Sequence, residues 1–235
     1  MLWKLFIFGA LTTLILVFLL YKGFLRFNYP DYQEFPIQAI DISHHQGNID
    51  WTRLKQQNIS FVFAKATEGG DYRDPDFLDN RTNAQKCGFA FGAYHFYRLC
   101  KTGIEQADNF ISFVPKTDRS LPPVVDLEFG GNCKTSKSKE QIITEIQQFI
   151  DKLEAHYGQI PIIYTTKDFY SQYLQNHFLN NPIWIRGIYG RPELVDKREW
   201  LFWQYANRGR LNGIENYVDL NVFNGDKEKF EKLIK

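Results

Sequence analysis

Short apolar runs alternate with amphipathic stretches along most of the chain, behind an N-terminal segment of a different kind. That first segment, Leu5 to Tyr21, has no charge, and Thr12 and Thr13 are its only polar members. Lys4 and Lys22 bracket it, and Trp3 and Phe24 stand where interfacial aromatics would. Its length meets the lower limit of roughly 17 residues for a bilayer-spanning helix. A signal peptide is the competing reading, but no A-x-A-like cleavage site follows, which favours an uncleaved single-pass anchor. Lys4 and the amino terminus on one side nearly balance Lys22 and Arg26 on the other, so the charge rule barely orients the segment. The chain therefore divides into an anchor over 1–26, a short extended linker over 27–36 and a catalytic-sized domain over 37–235.

Within that domain the pattern is strand, then helix, repeated. Ala39 to Ile42 reads as a strand, Asp50 opens a short helix, and Phe61 to Lys65 is a second strand. Asp74-Pro75 reads as a helix start with Gly88 as its stop, and Phe89 to Tyr97 as a third strand. A helix over Gly103 to Val114 precedes a fourth strand, Pro123 to Glu128. Ser138 with Gln141 forms a capping box for a long helix whose Ile142, Ile146, Phe149, Ile150 and Leu153 share one face. Pro161 to Tyr164 is the fifth strand, with a helix from about Asp168. Thereafter 182–185, 200–205 and 217–220 are strands joined by loops, and a helix over Lys227 to Ile234 closes the chain. Five strand–helix units and three further strands predict an α/β fold, an irregular TIM-like (β/α)5β3 barrel, with its strands parallel.

Composition adds less than pattern does. Aromatics make up 17% of the 235 residues, which suits both a thick core and a carbohydrate groove. A formal charge of +1 gives no electrostatic footprint for nucleic acid. Cys87, Cys100 and Cys133 lack metal-ligand spacing, and no metal or cofactor is expected. Cys87, in an amphipathic stretch, reads as a small buried hydrophobe.

The chemistry collects at strand ends. Asp126 and Glu128, two apart on one strand, point the same way while Leu127 points opposite. Asp41 closes the first strand and Asp219 sits in the last, and a closed barrel makes those strands neighbours. The four acids should thus converge on the mouth at the carboxyl ends of the strands, where barrel active sites gather. Tyr94, Tyr164, Trp184, Trp203 and Gln204 are candidates to line it. Metal coordination does not explain the aromatics, and adjacent His44 and His45 on an extended segment would face apart, which leaves hydrogen bonding as their role. Ser43 lacks a nucleophile-elbow setting. Glycoside hydrolysis fits best, because it needs one protonated and one charged carboxyl. Crowding by Asp126, Asp41 and Asp219 should raise Glu128 and keep it protonated as a general acid.

Taken together, the motifs Ala39–Gly47, Phe63–Gly69, Gly92–Phe96, Asp126–Glu128, Ile163–Thr165, Phe202–Tyr205 and Val218–Asn221 resemble glycoside hydrolase family 25. The resemblance runs in unbroken order over about residues 38 to 226. It implies a lysozyme that cleaves the β-1,4 bond between N-acetylmuramic acid and N-acetylglucosamine in peptidoglycan. On that resemblance Glu128 is the acid/base, Asp126 the nucleophile or the stabiliser of attack by the substrate's own acetamido group, and Asp41 a supporting acid. Asp219, Tyr94, Tyr164, Trp184 and Gln204 would bind substrate. A disulfide between Cys100 and Cys133 would tie two mouth loops, as suits an oxidising compartment. The implied partners are peptidoglycan strands and a membrane, with the enzyme a monomer whose barrel lies on the periplasmic or extracellular side. Arg186 departs from the family, which usually has a small residue there, and either narrows a subsite or pairs with an acid. The rivals are a non-catalytic wall-binding module and another β-hexosaminidase, such as a chitin-cleaving one.

Overall fold

The period-two runs become eight strands that close on one another. A computed structural model describes residues 2–25 and 27–234; Met1, Arg26 and Lys235 lie outside the described residues, and with Arg26 goes one of the charges weighed above for orientation. The chain runs α1 (Leu2–Tyr21), β1 (Gln38–Ile42), α2 (Trp51–Lys55), β2 (Phe61–Glu68), β3 (Tyr72–Arg73), α3 (Phe77–Lys86), β4 (Ala90–Phe96) and α4 (Gly103–Phe113). It continues with β5 (Val124–Leu127), α5 (Lys139–Tyr157), β6 (Ile162–Thr165), α6 (Lys167–Phe169), β7 (Ile183–Arg186), β8 (Phe202–Gly209), β9 (Val218–Phe223) and α7 (Lys227–Glu231). Strands β1, β2 and β4 to β9 form the barrel, closed by pairing of β1 with both β2 and β9.

Two features differ from the parallel barrel expected. Strand β9 runs antiparallel to β8 and to β1. This reversal is what brings Asp219, near the start of β9, to the mouth: it sits in register with Asp41 near the end of β1. In addition β3, only two residues long, folds back on the end of β2. Other differences are local. Helix α3 begins at Phe77 rather than at Pro75, because Asp74 is buried and occupied elsewhere. After β6 the helical stretch is short, α6 passing into one π-helical turn over Tyr170–Leu174.

Caps and faces follow from local sequence. Ser138 and Gln141 cap α5 reciprocally, and the face from Ile142 to Leu153 is buried against the barrel. Gly158, in the left-handed region, ends the same helix. Residues 27–36 pack on the barrel rather than run free: Phe35 is buried and stacks on Trp200, and Asn28 Nδ2 donates to the carbonyls of Ile188 and Tyr205.

Aromatic rings fill the barrel interior. Phe61, Phe63, Trp184, Phe202 and Phe223 are each buried, and Phe63 lies 5.0 Å from Trp184 between ring centroids. Room for Phe63 exists because β4 carries Gly92 opposite it; a Cβ there would stand 2.2 Å from the Phe63 ring. Gly92→Ala should therefore overpack the interior at a cost of about 1–3 kcal/mol. In a chain of this size that lowers Tm by about 2–4 °C per kcal/mol, readable in a thermal melt. An unchanged Tm would contradict this account of the interior.

Candidate active site

Period-two alternation decides which side chains of each strand reach the mouth. On β5, Leu127 turns outward into the layer under the helices, while Asp126 turns inward and Glu128 follows at the strand's end. The cavity at this end of the barrel has a volume of about 410 Å³, and Asp41, Asp126, Glu128, Asp219, Tyr94, Tyr164, Trp184 and Gln204 all line it. Trp203 does not. It follows Phe202 and precedes Gln204, so it points outward, where it packs beside Phe35 and Trp200 and donates its ring N–H to the Gly187 carbonyl.

A hydrogen-bonded chain fixes Asp41 from two sides. Tyr164 Oη donates to Gln204 Oε1 at 3.0 Å, and Gln204 Nε2 donates to Asp41 Oδ2 at 3.0 Å. From the other side Trp184 Nε1 donates to Asn221 Oδ1 at 2.8 Å, and Asn221 Nδ2 donates to the same Asp41 oxygen at 2.7 Å. Asp41 and Asp219 also hydrogen-bond to each other. That contact lowers Asp41 and raises Asp219, although burial holds both above the ordinary carboxylate range. Asn221 belongs to this scaffold although only its motif, and not its role, was evident from sequence.

All four acids are held above their ordinary carboxylate range. For Asp126 burial is the largest cause, then the charges of Glu128 and Asp41; Lys65 opposes them. For Glu128 burial again leads, ahead of the repulsion from Asp41 and Asp168. Crowding, expected from Asp126, Asp41 and Asp219, is thus not the main cause: burial outranks it, and of those three acids only Asp41 raises Glu128, joined by Asp168. Against both stands Arg186, at the end of β7, whose guanidinium lies 3.8 Å from Glu128 Oε2 and pulls Glu128 down. Of the two alternatives for Arg186, pairing with an acid is the one seen. Asp126 Oδ1 is buried with no hydrogen-bond partner, an uncommon state for a carboxylate oxygen.

The rim holds residues that sequence reasoning missed. In β2 the register shifts between Lys65 and Thr67, a bulge that turns Thr67 outward to His95 and Glu68 inward beside Lys65. Lys65 Nζ pairs with Glu68 Oε2 at 2.6 Å, and Arg98 Nη1 lies 3.4 Å from Glu68 Oε1. His44 and His45 are not extended: they lie in a 3-10 turn over His44–Gln46 capped by Ser43, with ring centroids 4.0 Å apart. His44 nonetheless hydrogen-bonds, through its ring Nδ1 and backbone N–H, to Asp74 Oδ2. Beyond Glu128, Asn132 Nδ2 donates to the carbonyls of Glu128 and Tyr97. Cys100 and Cys133 are disulfide-bonded across the same two loops, their Cα atoms 5.9 Å apart. Cys87 is a free thiol, half-buried against the core.

Comparison with known proteins came out consistently. A sequence profile of the family described as Glycosyl hydrolases family 25 matches residues 40–214. A family 25 glycosyl hydrolase from Bacillus anthracis is 42% identical in a structural alignment covering 88% of this chain and 98% of that chain, with a TM-score of 0.83. The bacterial lysozyme from Streptomyces coelicolor is 34% identical over 84% of this chain and 96% of that chain, with a TM-score of 0.76. Lysozyme M1 of Streptomyces globisporus is 36% identical over 209 residues, 84% of this chain and 71% of the relative.

Proposed function

The chain belongs to glycosyl hydrolases family 25 and is a glycoside hydrolase; from that premise we propose that it is a membrane-anchored peptidoglycan hydrolase. Its bond is the β-1,4 linkage between N-acetylmuramic acid and N-acetylglucosamine. The observation that carries this reading is the pair of Asp126 on β5 and Glu128 just past its end, both lining the mouth and both raised by burial, with one Asp126 oxygen unpartnered.

Glu128, at the more open end of the pair, protonates the glycosidic oxygen as it leaves and later takes a proton from the attacking water. Burial raises its pKa, which favours the protonated form a general acid needs. Asp126 lies deeper, and burial and repulsion hold it toward the neutral form while the cavity is unliganded. An acetamido N–H donated to the Asp126 carboxylate favours the charged form, since hydrogen bonds to a carboxylate stabilise it. The arriving sugar thereby helps charge the group that attacks or that steadies acetamido attack. Asp41, held by Gln204 and Asn221 and hydrogen-bonded to Asp219, positions the floor of the site. Tyr94, Tyr164, Trp184 and Gln204 complete the surface that receives the sugar.

Helix α1 supports the anchor: its 20 residues, none of them buried, span about 30 Å at 1.5 Å each, the thickness of a bilayer's apolar core. The organisation is then anchor over 1–26, linker over 27–36 and barrel over 37–235, with the barrel outside the cytoplasm as the disulfide suits.

Purified cell walls test the activity. Turbidity should fall as reducing ends appear, whereas wall binding without new reducing ends would leave a binding module. Arg186 supplies a finer test. Its positive charge lowers Glu128, so Arg186→Gln should let Glu128 keep its proton to higher pH. The alkaline limb of the kcat/KM profile should then move upward. A limb that stays or moves down would remove Arg186 from this role.

A further inference from the structure

The carboxyl end of α1 is clamped to the barrel, and the place of the clamp has a consequence for where the active site opens. Arg208 Nη1 donates to the Tyr21 carbonyl at 2.6 Å, and Arg210 Nε donates to the Lys22 carbonyl at 3.2 Å. These carbonyls fall at the end of the helix, where intrahelical partners run out. The same guanidiniums lie 4.2 Å from the Tyr21 ring centroid and 4.4 Å from that of Phe24. Arg208 stands on β8 beyond Gln204, and Gly209 pairs with Val218, one residue past Asp219 on the outer side. The clamp is therefore on the rim of the mouth, not on the opposite end of the barrel.

The apolar stretch from Leu5 to Tyr21 has no length to spare for crossing a bilayer. Tyr21 must then lie at the water interface, and Arg208, hydrogen-bonded to it, at headgroup depth. The rim around this point has the composition of an interfacial belt. Phe24, Phe27 and Tyr189 are 57%, 74% and 82% exposed, beside Lys22, Arg208 and Arg210. Aromatic side chains favour that depth, and cationic ones are attracted by anionic headgroups.

We propose that the barrel rests on the bilayer by this rim, so that its catalytic mouth opens at the membrane surface and takes glycan lying beside it. Arg208 lies four positions beyond Gln204 on β8, so Gln204, which holds Asp41, lies within about 13 Å of the headgroups at about 3.3 Å per residue. The inference rests on the anchor reading of α1. Its partner is the phospholipid surface that holds the helix, continuous with it and opposite in charge to the arginines.

The test uses the full chain reconstituted in vesicles containing anionic lipid and a headgroup-nitroxide lipid, in a Cys87→Ser background. An environment-sensitive fluorophore is attached at Tyr189→Cys on the rim or at Leu179→Cys, an exposed site just before β7 at the opposite end. Flotation with the vesicles is expected, with emission lost at position 189 and kept at position 179. A chain that does not float overturns the anchor and this inference with it. Flotation with equal quenching at both positions, or stronger quenching at 179, overturns the orientation alone. Wall hydrolysis measured on the unlabelled chain is independent of both readouts, so its failure would strike the catalytic reading and leave the orientation standing.

Discussion

Glu128→Gln is expected to slow hydrolysis of cell walls by about 10²–10⁴-fold, the usual cost of losing a positioned general acid. The substitution keeps the size of the side chain and removes only its titrating proton, and Asn132 still holds the Glu128 backbone carbonyl. Wall binding should persist, because Trp184, Tyr164 and Gln204 are untouched by it. The loss should be smaller on an aryl glycoside of the same sugar, whose leaving group departs without being protonated. A variant as active as the parent on walls would end the proposed role of Glu128.

Asp126→Asn is expected to cost activity on a comparable scale, but with two distinguishing signs. The aryl glycoside should not rescue it, since the missing group acts on the sugar and not on the leaving oxygen. Its stability should rise at neutral pH. Asp126 is raised in the folded chain above its unfolded value. Its contribution to stability is thus present in full below the unfolded pKa and is lost as pH rises through the folded one. An amide in its place removes that loss, and Tm should climb by about 2–4 °C for each kcal/mol recovered. A variant that lost both activity and Tm at neutral pH would indicate a structural role for Asp126 instead. Loss of function with gain in stability is what a strained active site predicts.

Much of this site could be read from strand parity. The spacing of Asp126, Leu127 and Glu128 gives their faces, and barrel closure makes the strands of Asp41 and Asp219 neighbours, although only the reversal of β9 brings the two acids into register. Parity also held the answer for Trp203: if Gln204 points inward, its neighbour points out. Ser43 and Gln46 carry the capping-box spacing that turns His44 and His45 out of an extended path, a signal present but passed over.

Other features leave no local trace. Alternation looks the same in either strand direction, so the antiparallel run of β9 is invisible in Val218–Phe223. The bulge after Lys65, which turns Glu68 to the rim, arises from pairing with β4 and not from its own sequence. Partners distant in the chain, such as Arg186 for Glu128 and Asn221 for Asp41, become visible only when the barrel closes. The high aromatic content divides in the same way: most of the buried rings pack in the layer outside the barrel, and a smaller set fills its interior under the site.

The most direct test of the central claim is the mass spectrum of the soluble fragments released from purified peptidoglycan, after borohydride reduction marks their new reducing ends. Muramic acid is expected at those ends, produced by the parent chain and not by Glu128→Gln. Reduced glucosamine there, or fragments of chitin under the same conditions with none from peptidoglycan, would contradict it.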